Sequence, residues 1–133
     1  MKVAELMQRN VKSIRGEASV AEAILTLADG HISGLPVVDA SGKMVGVLSS
    51  SDLLAAEAET GDESSRQALL ENTEVQEIMT RRPYTVAPTA EVREAAQQML
   101  YGDVHRLFVT DGDEVVGVIS TTDIVRAVAR DQL

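Results

Sequence analysis

Two stretches place a hydroxyl and a carboxylate three residues apart behind a short apolar run: Gly46-Val-Leu-Ser-Ser-Ser-Asp52 and Gly117-Val-Ile-Ser-Thr-Thr-Asp123. An apolar strand that ends at Ser49 or Ser120 and turns at once into a helix presents free backbone amides and a partial positive charge. Such an end attracts phosphate or another anion. The carboxylate of Asp52 or Asp123 is a charged hydrogen-bond acceptor, and charged acceptors make the stronger bonds. The same Ser-x-x-Asp spacing also closes a capping box that needs no ligand. Both readings stand on the residues alone.

The rest of the composition narrows the chemistry. The chain has 133 residues and no cysteine, which removes disulfides, thiolate metal sites and thiol nucleophiles. No Gly-rich phosphate loop is present, and the only two histidines, His31 and His105, are not spaced as metal ligands. The reading is therefore of no enzyme and no metal site. The net charge of −9 argues against a nucleic-acid partner, which requires clustered Lys and Arg. Much of that charge lies in 57–77, where Glu57, Glu59, Asp62, Glu63, Glu71, Glu74 and Glu77 face Arg66 alone. Apolar residues make up 44% of the chain and aromatics 2%, so the core must be aliphatic. No apolar run approaches the ~20 residues that span a bilayer, and the first residues lack the apolar centre of a signal peptide. The expected location is the cytoplasm, with no membrane contact.

The two Ser-x-x-Asp junctions belong to an internal repeat. Val3-Ala-Glu-Leu-Met7 matches Val75-Gln-Glu-Ile-Met79 at an offset of 72, and Val20-Ala-Glu-Ala23 and Leu35-Pro-Val-Val-Asp39 meet Val92-Arg-Glu-Ala95 and Leu107-Phe-Val-Thr-Asp111 at the same offset. One residue is lost in a turn, after which Val45-Gly-Val-Leu-Ser49 matches Val116-Gly-Val-Ile-Ser120, and Asp52 matches Asp123. Each copy reads as an extended piece (11–14; 84–86), a helix (20–29; 91–101), two strands (35–38 and 44–48; 107–109 and 115–119) and a closing helix from about Ser51 or Thr122. Ser19-Val-Ala-Glu22 is a capping-box pattern, and Gly30 and Gly102 are suited to ending the first helices. Met7 and Met79 read as packing residues, with a cleft contact as the alternative. Between the copies, 61–65 reads as a surface loop, 66–71 as a short helix, and the acidic run as a solvated face. The organisation expected is repeat one at 1–57, an acidic linker at 58–74 and repeat two at 75–131. A unit of roughly 55 residues buries little surface by itself. The two β-α-β-β-α copies are thus expected to share one α+β core with pseudo-two-fold symmetry and two clefts.

This order, with Leu35-Pro-Val-Val-Asp39 and the two junctions, resembles the CBS domain, a regulatory region named after cystathionine β-synthase. Val104-His-Arg-Leu-Phe-Val-Thr-Asp111 is similar to the corresponding stretch in gamma subunits of AMP-activated protein kinase. The resemblance covers nearly the whole chain apart from 57–74. It implies a CBS pair, or Bateman module, that associates as a homodimer and holds AMP, ADP, ATP or S-adenosylmethionine in its clefts. By the same resemblance Asp52 and Asp123 contact ribose, assisted by Ser49 and Ser120. The cleft of Ser120 and Asp123 is completed near Lys12, Ile32 and Ser33, and that of Ser49 and Asp52 near Tyr84 and Val104. Val47 and Val118 sandwich the adenine, while Tyr84 either stacks on a base or caps the core edge. His105 and Arg106 reach phosphates; Ser33 and Gly34, their equivalents, carry no charge, so the clefts are expected to differ. Lys12, Arg15, Arg81 and Arg82 either add positive potential at the cleft mouths or stand as solvated charges, and His31 reads as a surface residue.

The functional expectation is a stand-alone sensor module that binds an adenine nucleotide, carries no catalytic cofactor, and signals to an effector protein the sequence does not identify. Binding of S-adenosylmethionine or NAD is an alternative ligand assignment. A protein-interaction module with vestigial clefts is an alternative function. A nucleotide-processing enzyme would need paired carboxylates around Mg²⁺, and the resemblance puts Asp52 and Asp123 in different clefts.

Overall fold

The computed structural model describes residues 1–81 and 83–132; Arg82 lies outside the described residues. The chain falls into two compact units. One, the central unit, is Lys12–Pro83; the other, the terminal unit, joins Met1–Val11 to Tyr84–Leu133.

The central unit contains β1 (Ile14–Arg15), α2 (Val20–Gly30), β2 (Gly34–Val38), β3 (Met44–Ser49), α3 (Ser50–Ala58), α4 (Glu63–Asn72) and α5 (Val75–Ile78). The terminal unit contains α1 (Val3–Leu6), β4 (Thr85–Val86), α6 (Val92–Gly102), β5 (Arg106–Asp111), β6 (Glu114–Ser120) and α7 (Thr121–Ala129). Each unit has one three-stranded sheet of the same design. A short first strand runs parallel to the second, and the second pairs antiparallel with the third. The ladders slip at matching points, between Val37 and Val38 and between Val109 and Thr110. The mixed α+β class and the β-α-β-β-α order hold in both copies, with additions.

The additions are α1 and α5, single-turn helices that open the two copies. Each is closed by a glutamate folding back on the chain: the Lys2 and Glu74 amides donate to the Glu5 and Glu77 carboxylates, both at 2.7 Å. Val3 and Val75 are completely buried, and each belongs to the core of the unit formed mainly by the other copy. Val3 joins Met7, Ala95, Met99, Leu107, Val109 and Ile119. Val75 joins Ile14, Ala23, Leu27, Leu35, Val37 and Leu48. Burying one such valine stabilises by roughly 1.5–3 kcal/mol.

The long helices follow from their caps. Ser19 accepts from the Glu22 amide at 3.1 Å and starts α2. Gly30 and Gly102 are the last helical residues rather than the stops. The left-handed positions are His31 and Asp103, both at φ 51°, residue types that tolerate this conformation better than most. The linker differs from its reading too. Asp62 accepts from the Ser65 amide at 2.7 Å, so α4 begins at Glu63, inside the stretch expected as a loop. The helix is exposed along most of its length and lies against α2 and α3, where Arg66 pairs with Glu57 at 3.1 Å.

Candidate functional site

At each predicted junction the last strand residue is the N-cap of the closing helix. Ser49 and Ser120 cap α3 and α7. Their hydroxyls accept from the amides of Asp52 (3.2 Å) and Asp123 (3.1 Å). The aspartates return the bond, each accepting through Oδ2 from the backbone amide of its serine at 2.9 Å. Both are complete capping boxes. The first amide of each helix is also taken: Ser50 donates to the Ser33 carbonyl at 3.0 Å and Thr121 to the His105 carbonyl at 2.9 Å. With two opening amides used internally, each helix start offers an anion less than the sequence suggests.

Two residues with no assigned role in the sequence meet the remaining carboxylate oxygens. Thr80 Oγ1 donates to Asp52 Oδ1 at 2.9 Å in the central unit. Gln8 Nε2 donates to Asp123 Oδ1 at 3.2 Å in the terminal unit. Both are held by paired backbone bonds to the last strand. Thr80 exchanges two bonds of 2.9 Å with Val47, and Gln8 exchanges bonds of 2.8 and 2.9 Å with Val118. The available signal was their phase, since Gln8 and Thr80 directly follow the matched Met7 and Met79. Arg126 is the third unforeseen participant, its Nη1 3.6 Å from Asp123 Oδ1.

The methionines explain the glycines of the motif. A methyl group on Gly117 would stand 2.6 Å from Met7 Sδ and 2.9 Å from the Gln8 carbonyl oxygen. On Gly46 it would stand 2.6 Å from Met79 Sδ and 2.8 Å from the Thr80 carbonyl oxygen. Glycine there admits the crossing segment.

The remaining predicted residues divide between the units. In the terminal unit, Arg106 is the register partner of Ser120, and His105 bonds to the start of α7, so both stand at the Asp123 junction. His105 is exposed and Arg106 half-buried. Val104 packs on the core beside them. Tyr84 is placed differently: its ring lies over Gly102, and it lines a groove with Gln97, Gln98 and Tyr101 on α6. In the central unit, Ser33 bonds to α3 at the Asp52 junction, and Ile32 packs on the core. Lys12 is exposed just before β1, and His31 is exposed at the end of α2. Among the described residues no buried side-chain polar atom lacks a partner, and no cluster of three His, Asp or Glu could hold a metal ion. No described helix is long and apolar enough to cross a membrane.

Comparison with known proteins agrees with this fold. The CBS domain family matches residues 3–59 and 75–130. Homoserine O-acetyltransferase of Methanohalobium evestigatum is 28% identical over 95% of this chain, which covers 24% of that enzyme. The chain spans less than two thirds of the first curated relatives it matches. Among solved structures, CBSX2 of Arabidopsis thaliana in complex with AMP has a TM-score of 0.83 at 27% identity, with 99% of this chain and 98% of that one covered. The CBS domain pair of protein MJ0100, in complex with 5′-methylthioadenosine and S-adenosyl-L-methionine, has a TM-score of 0.82 at 26% identity, covering 98% of both chains.

Proposed function

This chain belongs to the CBS-domain family, and from that premise we propose that it is a regulatory module that binds an adenine nucleotide (AMP, ADP or ATP) and catalyses nothing. The observation that carries the proposal is the pair of matched junctions, each offering a fixed carboxylate and a serine hydroxyl at a helix start. A carboxylate has about four lone-pair sites. Asp52 and Asp123 can thus accept ribose hydroxyls beyond their internal bonds. His105 and Arg106 supply positive charge for phosphates, and Val47 and Val118 apolar surface for a base. Lys12, Ile32, Ser33, Tyr84 and Val104 remain assigned as in the sequence. Similar CBS pairs hold AMP, or 5′-methylthioadenosine and S-adenosyl-L-methionine, which supports the ligand class.

The module is proposed to act as a cytoplasmic homodimer that passes its signal to an effector protein. Leu100, Tyr101, Val125 and Val128 stand exposed on α6 and α7, the kind of apolar surface a second copy would cover. Sedimentation equilibrium at micromolar concentration is expected to give twice the chain mass.

A second reading has its own support. Every described buried side-chain polar atom is satisfied within the chain, as expected of an interaction module whose junctions are caps alone. Calorimetric titration with AMP, ADP, ATP, NAD and S-adenosylmethionine separates the two. The proposal expects saturable heat with an adenine nucleotide, abolished in Asp52→Ala/Asp123→Ala. The cap reading expects no heat and no thermal shift with any of the five, and only about 1 kcal/mol of stability lost per cap.

A further inference from the structure

We propose that the two junctions are unequal acceptors, with Asp52 taking the ribose first and Gln8 and Arg126 holding Asp123 back. The inference rests on the nucleotide-binding reading above and adds which junction leads and which residues decide it.

The two carboxylates close the same capping box and have different surroundings. Asp123 is 5% exposed, the one buried charged residue among those described, whereas Asp52 is half-buried. The free oxygen of Asp123 receives both the Gln8 carboxamide at 3.2 Å and the Arg126 guanidinium at 3.6 Å. Gln8 donates a hydrogen bond, while Arg126, too distant for one, holds the carboxylate by its charge. A ribose hydroxyl must displace or share these groups before it bonds to Asp123.

At Asp52 the corresponding oxygen accepts from the Thr80 hydroxyl at 2.9 Å, and Thr80 is exposed. A hydroxyl both donates and accepts and turns freely to suit a newcomer. The residue matching Arg126 in the first copy is Ala55, which brings neither charge nor donor. The acid of the first copy is therefore wetter, held by two neutral, adaptable hydroxyls, Thr80 at Oδ1 and Ser49 at Oδ2 (3.0 Å), and ready to accept. This difference lies within each unit and comes from two residues that leave the caps untouched.

The test is calorimetric titration of AMP into the intact chain and into Asp52→Asn, Asp123→Asn and Gln8→Thr/Arg126→Ala, with a thermal melt of each. Asp52→Asn is expected to weaken the tighter binding event by at least about tenfold, since a neutral amide replaces a charged acceptor. Asp123→Asn is expected to leave that event within about twofold. Gln8→Thr/Arg126→Ala is expected to strengthen the weaker event several-fold. This double variant keeps both caps, so it decides the matter even where an Asn variant is unstable. Loss of the tighter event in Asp123→Asn with retention in Asp52→Asn overturns the inference, as do two equal sites, or a double variant that binds as the parent does. Absence of AMP binding by the unaltered chain overturns both the inference and the reading beneath it. Binding with the wrong order overturns the inference alone.

Discussion

The Met7 thioether fills the space that a side chain at residue 117 would need, and Met79 does the same at residue 46. The nearby carbonyl oxygens of Gln8 and Thr80 are main-chain atoms, so they cannot swing aside as a side-chain tip can. Gly117→Ala or Gly46→Ala is expected to destabilise by about 1–3 kcal/mol, the usual cost of overpacking, with urea denaturation as the measurement. A loss well under this range would mean that the crossing segment shifts freely. The two glycines stood out in the sequence as part of a chemical motif. Their reason was not local: it lies in a methionine and a carbonyl far along the chain. The same holds for Gln8 and Thr80, whose polar side chains gave no hint of their carboxylate partners until the backbone pairing with Val118 and Val47 fixed where they point.

At the scale of elements, α1 is a four-residue helix that could not persist unaided. It is docked by the Val3 and Ala4 amides, which donate to the Ala90 and Pro88 carbonyls, both at 2.9 Å. It is also tethered by Lys2, whose ammonium bonds to Glu91 at 2.7 Å. That hydrogen bond holds the Glu91 carboxyl below its usual range and raises the Lys2 ammonium above its own. For a depressed carboxyl, the tether is fully present above the ordinary glutamate pKa of about 4.3 and is lost as pH falls through the lowered folded value. For the raised ammonium it is fully present below the ordinary lysine value of about 10.4 and is lost as pH rises through the higher folded one. Amide-exchange protection at Val3 and Ala4 is thus expected to fall on acidification below that glutamate range, and to be less pH-dependent in Glu91→Gln. Equal acid loss in both chains would remove the tether from the account. Strands, long helices and both junction caps were legible because their signals are local: Ser19 with Glu22, Ser49 with Asp52, Ser120 with Asp123. Single-turn helices have no periodicity to read. In α4 the polar run around Asp62 looked like a loop, although Asp62 was itself the start signal.

At the scale of the whole molecule, repeat matching shows which residues are equivalent and cannot show which copy each one touches. The units cut across the repeats: Met1–Val11 completes the core of the second copy, and Val75 completes that of the first. A fragment of residues 12–83 is therefore expected to keep more helix and melt more cooperatively than one of residues 1–59, although the latter matches a family repeat more fully. Far-ultraviolet circular dichroism on the two peptides checks this, and a more cooperative 1–59 peptide would refute it. The exchange also has a temporal side. Gln8 must wait for Asp123, 115 residues behind it. On the ribosome, where units fold as they emerge, residues 12–83 can close while Val3, Leu6 and Met7 still lack the core they complete. A chain made only as far as residue 83 thus displays a sticky segment at Val3–Met7, and synthesis of residues 84–124 is what conceals it.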